Sequence, residues 1–409
     1  MDRVTQSHIF QFAFACLTIG LLYSRFMISL GMIFFLFGAL WGGDLKSKWQ
    51  SFISNKAFVA VTMVFFLYLI TGLWSENTDY FLHQMRIKLP FFFLPFAFAA
   101  TRGLSEKIMH RLMLFFIGMM FISSLWSVAM FLADFDHYIE IYKRGQIIPT
   151  PIHHIRYSIM ISIAVLMSLY MWIKPQVLGL KYLKPALAVI ALLLIAYLHL
   201  LAVRSGLMTL YVILACTVFY YLRTSGKIKW LIPLVVAGLV GIILAINFVP
   251  TIQNKIAYTK YSIEEFSKNN NIRELSDSRR LGSIIAGIEL TKENPILGVG
   301  MGDLMDDTNA YLKDHYPDLI GLELLPHNQY ILTSTVAGIP GLIIFIFLTC
   351  LPLVYMQGWK DFLLTATHLS FFASFMVEHT IEAQIGVAVY IFIILFSIKN
   401  WQVQPHAVQ

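Results

Sequence analysis

Charged residues are scarce in this 409-residue chain. Asp, Glu, Lys and Arg make up 13% of the sequence, whereas 58% of it is apolar. A soluble globular protein has about 25% charged residues, so this balance excludes a soluble protein and indicates a surface that faces lipid. The composition therefore predicts an integral membrane protein.

Cysteine is also scarce, and clustered positive charge is missing. Cys16, Cys216 and Cys350 all fall inside apolar runs, where a thiol behaves as a small hydrophobic side chain, so they imply neither disulfides nor a metal site. The net charge of +7 is scattered over short loops and forms no basic face. This pattern does not indicate a nucleic-acid partner.

Strict alternation of polar and apolar residues is absent too, which excludes an outer-membrane barrel. Continuous apolar runs take its place, and a transmembrane helix needs about 20 such residues. We predict an all-α, polytopic membrane protein with about twelve transmembrane helices and a first helix that is retained, not cleaved. The predicted spans are 8–23, 26–43, 57–74, 86–101, 109–132, 154–173, 185–203, 206–223, 230–248, 338–357, 361–377 and 384–400.

The loops between these spans predict the orientation. If the N-terminus is cytoplasmic, the loops that carry Lys46, Arg102 and Lys174 all lie inside. The alternate loops, which carry Asp79 and Asp136, are acidic or mixed, as the positive-inside rule expects for the outer side. The alternation therefore predicts which ends of the helices face the cytoplasm.

One polar stretch, residues 250–326, interrupts the apolar pattern, and the orientation places it outside the cytoplasm. It divides the chain into three predicted regions. They are 1–249 with transmembrane helices 1–9, 250–337 as a large periplasmic loop with short helices, and 338–409 with transmembrane helices 10–12 and a short cytoplasmic tail.

Two adjacent arginines lie in this loop. Apolar residues at helical spacing predict a helix over Ser278–Lys292, capped by Asp277 or Ser278. Arg279 and Arg280 then lie at a helix start, where backbone N–H groups favour a phosphate or pyrophosphate. The alternative is a basic pair that anchors lipid headgroups.

Arg204 and His327 lie at predicted membrane boundaries. Arg204 occupies a tight reversal between two apolar runs, where a charge is costly unless it is partnered or functional; snorkelling to headgroups is the alternative. His327 opens a short amphipathic or re-entrant helix and can take a proton from a sugar hydroxyl. It can equally be a structural histidine, and Asn328 can be a helix cap.

Other motifs carry weaker signals. No strand precedes the glycines at 298, 300 and 302, so we interpret them as a turn that brings the backbone close to the membrane or a ligand, not as a nucleotide site. His153 and His154 should point to different helix faces and therefore bind no metal. Glu378, His379 and Glu382 form either a polar contact to an acceptor or a solvated turn.

The chain resembles the O-antigen ligase and polymerase family of bacterial membrane glycosyltransferases. The motifs that carry the resemblance are Val203-Arg204-Ser205-Gly206, Ser278-Arg279-Arg280-Leu281, Glu293-Asn294-Pro295-Ile296-Leu297-Gly298-Val299-Gly300 and His327-Asn328-Gln329-Tyr330. The resemblance implies a GT-C-like architecture similar to other polytopic glycosyltransferases, with neither metal nor cofactor.

The resemblance also implies residue roles. Arg204 and Arg280 would hold the pyrophosphate of an undecaprenyl-linked glycan, and His327 would activate the acceptor hydroxyl. Arg279 is a second candidate for the loop position, and Asn328 would contact substrate. This chain has Ser-Arg-Arg where Ser-Gly-Arg is frequent, and its order around Arg204 differs slightly from the commoner Ser-Arg-Gly, so the choice between the two loop arginines stays open.

The implied activity is that of an O-antigen ligase. It would transfer a glycan from undecaprenyl pyrophosphate to lipid A-core at the periplasmic face of the bacterial inner membrane, with inversion at the anomeric carbon. The alternatives are an O-antigen or exopolysaccharide polymerase, a protein O-oligosaccharyltransferase and a transporter of lipid-linked glycans. Against transport, the sequence has no inverted repeat and no charged residue near the middle of a predicted span.

Overall fold

The structure is a computed structural model that describes most of the chain. It covers residues 2–143, 147–174, 178–179, 182–233, 236, 240, 243, 247, 250–268 and 272–404. These described residues are 82% helical and contain no assigned strand, which confirms the all-α prediction.

The helices before the polar stretch are long and apolar, except for two that have nine residues each. They are α1 (Asp2–Tyr23), α2 (Arg25–Leu40), α3 (Leu45–Ile53), α4 (Lys56–Ile70), α5 (Thr78–Ala100), α6 (Glu106–Ala133), α7 (Phe135–Lys143), α8 (His154–Ile173), α9 (Leu183–Leu201) and α10 (Arg204–Thr224). The polar stretch and the last apolar segments follow. They form α11 (Pro250–Ser267), α12 (Ser276–Glu293), α13 (Leu304–His315), α14 (Gln329–Val354), α15 (Phe362–Val377) and α16 (Gln384–Gln402).

Among the described residues, eight helices are long and apolar enough to cross a membrane, or nine if α2 and α3, bent by 113°, form one broken span. The other predicted spans differ for separate reasons. Helix α5 begins eight residues before the predicted span 86–101 and is polar over its first half, and α15 has only 16 residues. The predicted span 230–248 lies mostly outside the described residues.

The start of α5 also places a charged side chain inside this helix. Because the helix begins at Thr78, Lys88 lies near its middle, where it is fully buried. Helix α5 is not among the helices that qualify as spans, so the expectation that no charge lies near the middle of a span stays a prediction. A buried lysine at such a position requires a partner, and Glu382 supplies it at 2.5 Å.

Helices α8 and α16 form the centre of the bundle. Their apolar windows are 89% and 83% buried, whereas those of α9 and α10 are only 28% and 33% buried. A helix that is apolar on every side is expected in such a central position. The serines of α8 satisfy their hydroxyls on backbone carbonyls, as when Ser162 donates to Gly206 at 2.9 Å.

The loops predicted to face the cytoplasm gather at one end of this bundle. Lys399 donates to the carbonyl of Thr101 at 2.9 Å, and Lys174 donates to Gln404 at 2.8 Å. Arg156, in the first turn of α8, lies at the other end from Lys174, about 30 Å away along the helix. The predicted inner loops therefore share one end, and which membrane face that end meets stays a prediction.

The glycine-rich turn after α12 packs against α14. Gly298 has φ +72°, and a Cβ there would lie 2.4 Å from the carbonyl carbon of Val336. The Gly300 N–H donates to the Val336 carbonyl at 3.0 Å, next to the kink in α14 at Gly338. The close approach expected of these glycines is thus made to another helix and fixes the loop on the bundle.

Candidate active site

One face of the loop helix α12 carries the candidate site. The helix predicted over 278–292 is confirmed and starts two residues earlier, at Ser276. No side chain caps it, so the prediction that Asp277 or Ser278 does so is wrong. Both residues lie inside the first turn, and Asp277 points outward to a partner from the bundle.

That partner is Arg204, the first residue of α10. The chain reverses at Ala202, which has φ 51°, and α10 then packs closely on α8 because Gly206 has no side chain; a Cβ there would lie 2.4 Å from the Cβ of Ser158. The two terminal nitrogens of Arg204 donate to the two carboxylate oxygens of Asp277, both at 2.8 Å. This bidentate pair joins α10 to the loop helix.

Arg280 lies one turn further along α12 and contacts Glu378 at the end of α15. Its Nη2 is 2.8 Å from Oε1 of Glu378, and Nη1 of Arg156 is 3.9 Å from Oε2. Burial raises the pKa of the Glu378 carboxyl, and the two guanidiniums oppose that rise. Nε and Nη1 of Arg156 are buried and have no hydrogen-bond acceptor within the described residues. A buried cation with unfilled donors, next to the guanidinium of Arg280, indicates a place for an anion.

His327 meets the next turn of α12 through Ser283. The Ser283 hydroxyl donates to the Arg280 carbonyl at 2.8 Å, so its oxygen accepts from Nδ1 of His327 at 3.3 Å. The same Nδ1–H faces the Leu325 carbonyl at 3.0 Å. These bonds assign the proton to Nδ1 and leave the Nε2 lone pair free. Burial and then the charge of Arg280 lower the pKa of His327 to about 4, so the imidazole is neutral at pH 7.

These contacts bring three of the predicted site residues to one face of α12. Asp277, Arg280 and Ser283 are spaced three apart, so they share a helix face and span about 9 Å along its axis. Through them Arg204, Glu378 and His327 converge from the bundle. The structure thus brings Arg204, Arg280 and His327 together.

Arg279, the second candidate for the loop position, has a different environment. It is half-buried, and no ion pair is assigned to it in the part of the chain that the structure describes. Its charge contributes to the lowered pKa of His327, although less than that of Arg280. Arg280 is therefore the loop arginine tied into the cluster, and Arg279 is an uncompensated cation beside it.

Asn328 acts as the N-cap of α14. Its Oδ1 accepts from the N–H groups of Tyr330 and Ile331 at 2.9 and 3.1 Å, and its Nδ2 donates to the Met376 carbonyl at 2.9 Å. Both ends of the amide are engaged. The structure therefore gives Asn328 the helix-capping role that was the alternative to substrate contact.

His379 completes the cluster. Its ring meets that of His327 edge to face, with centroids 4.8 Å apart, and burial lowers its pKa well below the ordinary value. His327, Glu378 and His379 each offer a ligand atom within 4.8 Å of the others, a spacing that a metal ion could use. However, Arg280 and Arg156 already face Glu378, and two positive charges oppose a third cation. We interpret the group as a proton-handling cluster.

Part of this site lies in a segment shared with known proteins. Residues 189–346 match the family model described as O-antigen ligase. Through this segment, the chain is similar to the O-antigen ligase family. That family is glycosyltransferase-like, and the match supports a role in O-antigen and lipopolysaccharide biosynthesis. No curated protein matches the chain.

The ligase-family segment contains some of the cluster and leaves the rest outside. Arg204, Arg280 and His327 lie within it, whereas Arg156 and Glu378 do not. Sequence reasoning missed Arg156, although an arginine next to a long apolar run is a usable signal. Glu378 is 2% exposed and paired, so the expectation of a solvated turn is wrong.

The turn that carries Glu378 is held by a second buried network. Glu382 accepts from Lys88 at 2.5 Å and from Gln329 at 2.8 Å, and Gln329 accepts from the Ile381 N–H at 3.1 Å. Gln329 follows the Asn328 cap directly. The network therefore sets both the Glu378 turn and the start of α14 relative to α5.

The expectation about the two histidines at the start of α8 also needs a correction. His153 is the N-cap of α8 and lies outside the regular helix, so its ring stacks on that of His154 with centroids 4.4 Å apart. The expectation that adjacent histidines point to different helix faces is therefore wrong. The helical geometry on which it depended begins only at His154.

Proposed function

We propose that this protein is an O-antigen ligase that transfers a glycan from undecaprenyl pyrophosphate to the lipid A-core oligosaccharide at the periplasmic face of the bacterial inner membrane. The observation that carries the proposal is the face of α12 from Asp277 to Ser283. Arginines and a neutral imidazole gather along this face, which is about 9 Å long. A pyrophosphate leaving group and an acceptor hydroxyl require these two kinds of group.

The cations would stabilise the leaving group. As the anomeric C–O bond breaks, negative charge grows on the pyrophosphate oxygen, and Arg280, Arg279 and Arg204 can donate to it. A preorganised donor to a developing charge is worth about 3 to 4 kcal/mol in comparable sites. The unfilled donors of Arg156 add a further place for an anionic oxygen. With this positive charge supplied by side chains, the proposed reaction uses no metal and no cofactor.

His327 would act as the general base. Its free Nε2 takes the proton of the acceptor hydroxyl while the hydroxyl oxygen bonds to the anomeric carbon and the electron pair of the broken bond leaves with the pyrophosphate. Direct displacement inverts the anomeric centre. A base so placed contributes about 10²- to 10⁴-fold to the rate.

The test is ligation by the purified full chain in lipid vesicles. The donor is glycan-linked undecaprenyl pyrophosphate, and the acceptors, offered separately, are lipid A-core, carrier-linked repeats and a peptide. We expect product with lipid A-core. Product with carrier-linked repeats alone would make the protein a polymerase, product with the peptide alone a protein glycosyltransferase, and uptake of donor without a new glycosidic bond a transporter.

The variants Arg204→Gln and His327→Gln should abolish transfer while the protein remains folded. The matched control is Arg223→Gln, because Arg223 is exposed in the last turn of the same helix as Arg204 and lies at its other end. Near-normal ligation by the first two variants would overturn the proposal.

A further inference from the structure

Glu378 lies between two sets of partners. On one side are the guanidiniums of Arg280, at 2.8 Å, and Arg156, at 3.9 Å. On the other side are the rings of His327 and His379, each with a nitrogen within 4.8 Å of the carboxylate. The side chain is only 3% exposed, so water does not compete effectively for it.

We propose that Glu378 exchanges partners during the reaction. In the donor-free protein it holds Arg280, and when a pyrophosphate takes Arg280 the carboxylate turns to His327 and accepts the N–H that forms when this base receives the acceptor's proton. The inference rests on the proposed function and adds a residue that touches the reacting base.

Competition for Arg280 makes the exchange necessary. The Arg280 Nη2 that would donate to a pyrophosphate oxygen already donates to Glu378. A bound pyrophosphate and the carboxylate are both anions, and in a buried site they cannot share one guanidinium without strong repulsion. Glu378 is therefore favoured to move or to take up a proton, and besides Arg156 the two histidines each offer a nitrogen within 4.8 Å of it.

The exchange also solves a problem for the base. In the donor-free protein the neighbouring arginines disfavour a positive charge on His327, and the pKa of the ring is about 4. Pyrophosphate compensates these arginines, and a carboxylate in contact with the ring stabilises the imidazolium directly. Donor binding would thus strengthen the base at the moment when it is needed.

Several charged and titratable groups surround the carboxylate and the two imidazole rings beside it, and they contribute to any pH dependence. They are Lys88 of α5, Arg156 of α8, Arg279 and Arg280 of α12, His327 and His379. The rival role for Glu378 is purely structural, in which it only holds Arg280 in place. The two roles predict opposite effects on donor binding.

The kinetic test is Glu378→Gln in the full-length protein, with Glu289→Gln as the control because Glu289 pairs with Lys292 on the exposed end of α12. Glutamine keeps the shape but neither competes as an anion nor stabilises an imidazolium. We expect kcat to fall about 10²-fold while KM for the donor is unchanged or lower. A raised KM with unchanged kcat would show the structural role and overturn the exchange.

A binding test separates this inference from the proposed function. Undecaprenyl pyrophosphate is titrated near pH 5.5 in buffers of different ionisation enthalpy, which reports protons taken up on binding. We expect the wild type to take up more protons than either Glu378→Gln or His327→Gln. Equal uptake by all three would refute the exchange even if ligation occurs, and the difference would support it even if the true acceptor is not lipid A-core.

Discussion

The buried pair of Lys88 and Glu382 gives a prediction whose size follows from the structure. The side chains are 0% and 1% exposed, and their charged atoms are 2.5 Å apart. Lys88→Met removes the cation and leaves Glu382 with Gln329 as its hydrogen-bond donor at 2.8 Å. Breaking a buried pair in this way costs about 3 to 5 kcal/mol, because an uncompensated charge stays in a medium of low polarity.

The double variant Lys88→Met/Glu382→Gln should recover most of that loss. It removes both charges, and glutamine at 382 keeps an oxygen for the amide of Gln329. We therefore expect the double variant to be more stable than Lys88→Met alone, with a coupling of about 1 to 3 kcal/mol. Ligation should follow the same order, since the turn that Glu382 fixes also carries Glu378.

Equilibrium unfolding in mixed micelles, followed by circular dichroism, measures these free energies. The control is Lys292→Met, which breaks an exposed pair with Glu289 and should cost no more than about 0.5 kcal/mol. A loss below about 1 kcal/mol for Lys88→Met, or a double variant no better than the single one, would refute the reasoning.

Three further predictions concern the site. Gly206→Ala places a Cβ 2.4 Å from the Cβ of Ser158, so α10 and with it Arg204 must shift. We expect the free energy of unfolding to fall by about 1 to 3 kcal/mol and ligation to fall markedly. Wild-type values for both would contradict the packing. The pKa of His327 is about 4 before the donor binds. We therefore expect kcat/KM for the donor to stay level from pH 7 to about 5 and to fall only as the ring gains a proton near pH 4. A midpoint near pH 6.5 would show an ordinary, solvated histidine. Asn328→Ala removes the cap of α14 and should lower the unfolding free energy by about 1 kcal/mol, and an unchanged value would argue against that role.

The sequence by itself determined the class of the protein and the candidate residues. Scarce charge and long apolar runs fix an all-α membrane protein, because only lipid can solvate such a surface. The helical spacing of the apolar residues after Ser278 correctly predicted the loop helix and placed Arg279 and Arg280 at its start. Arg204 and His327 stood out as polar groups at predicted membrane boundaries. These inferences depend on local composition and periodicity, which a sequence displays directly.

Only the tertiary structure decided which groups meet. Arg204 is 73 residues from Asp277, and Arg280 is 98 from Glu378, and no local pattern encodes pairings over such separations. Neither Arg156 nor Lys88 was singled out from the sequence, and only the structure shows their buried carboxylate partners. The physical reason is that the pKa of His327 and the pairing of Arg280 depend on burial and on charges brought close in space, and both arise when distant helices pack.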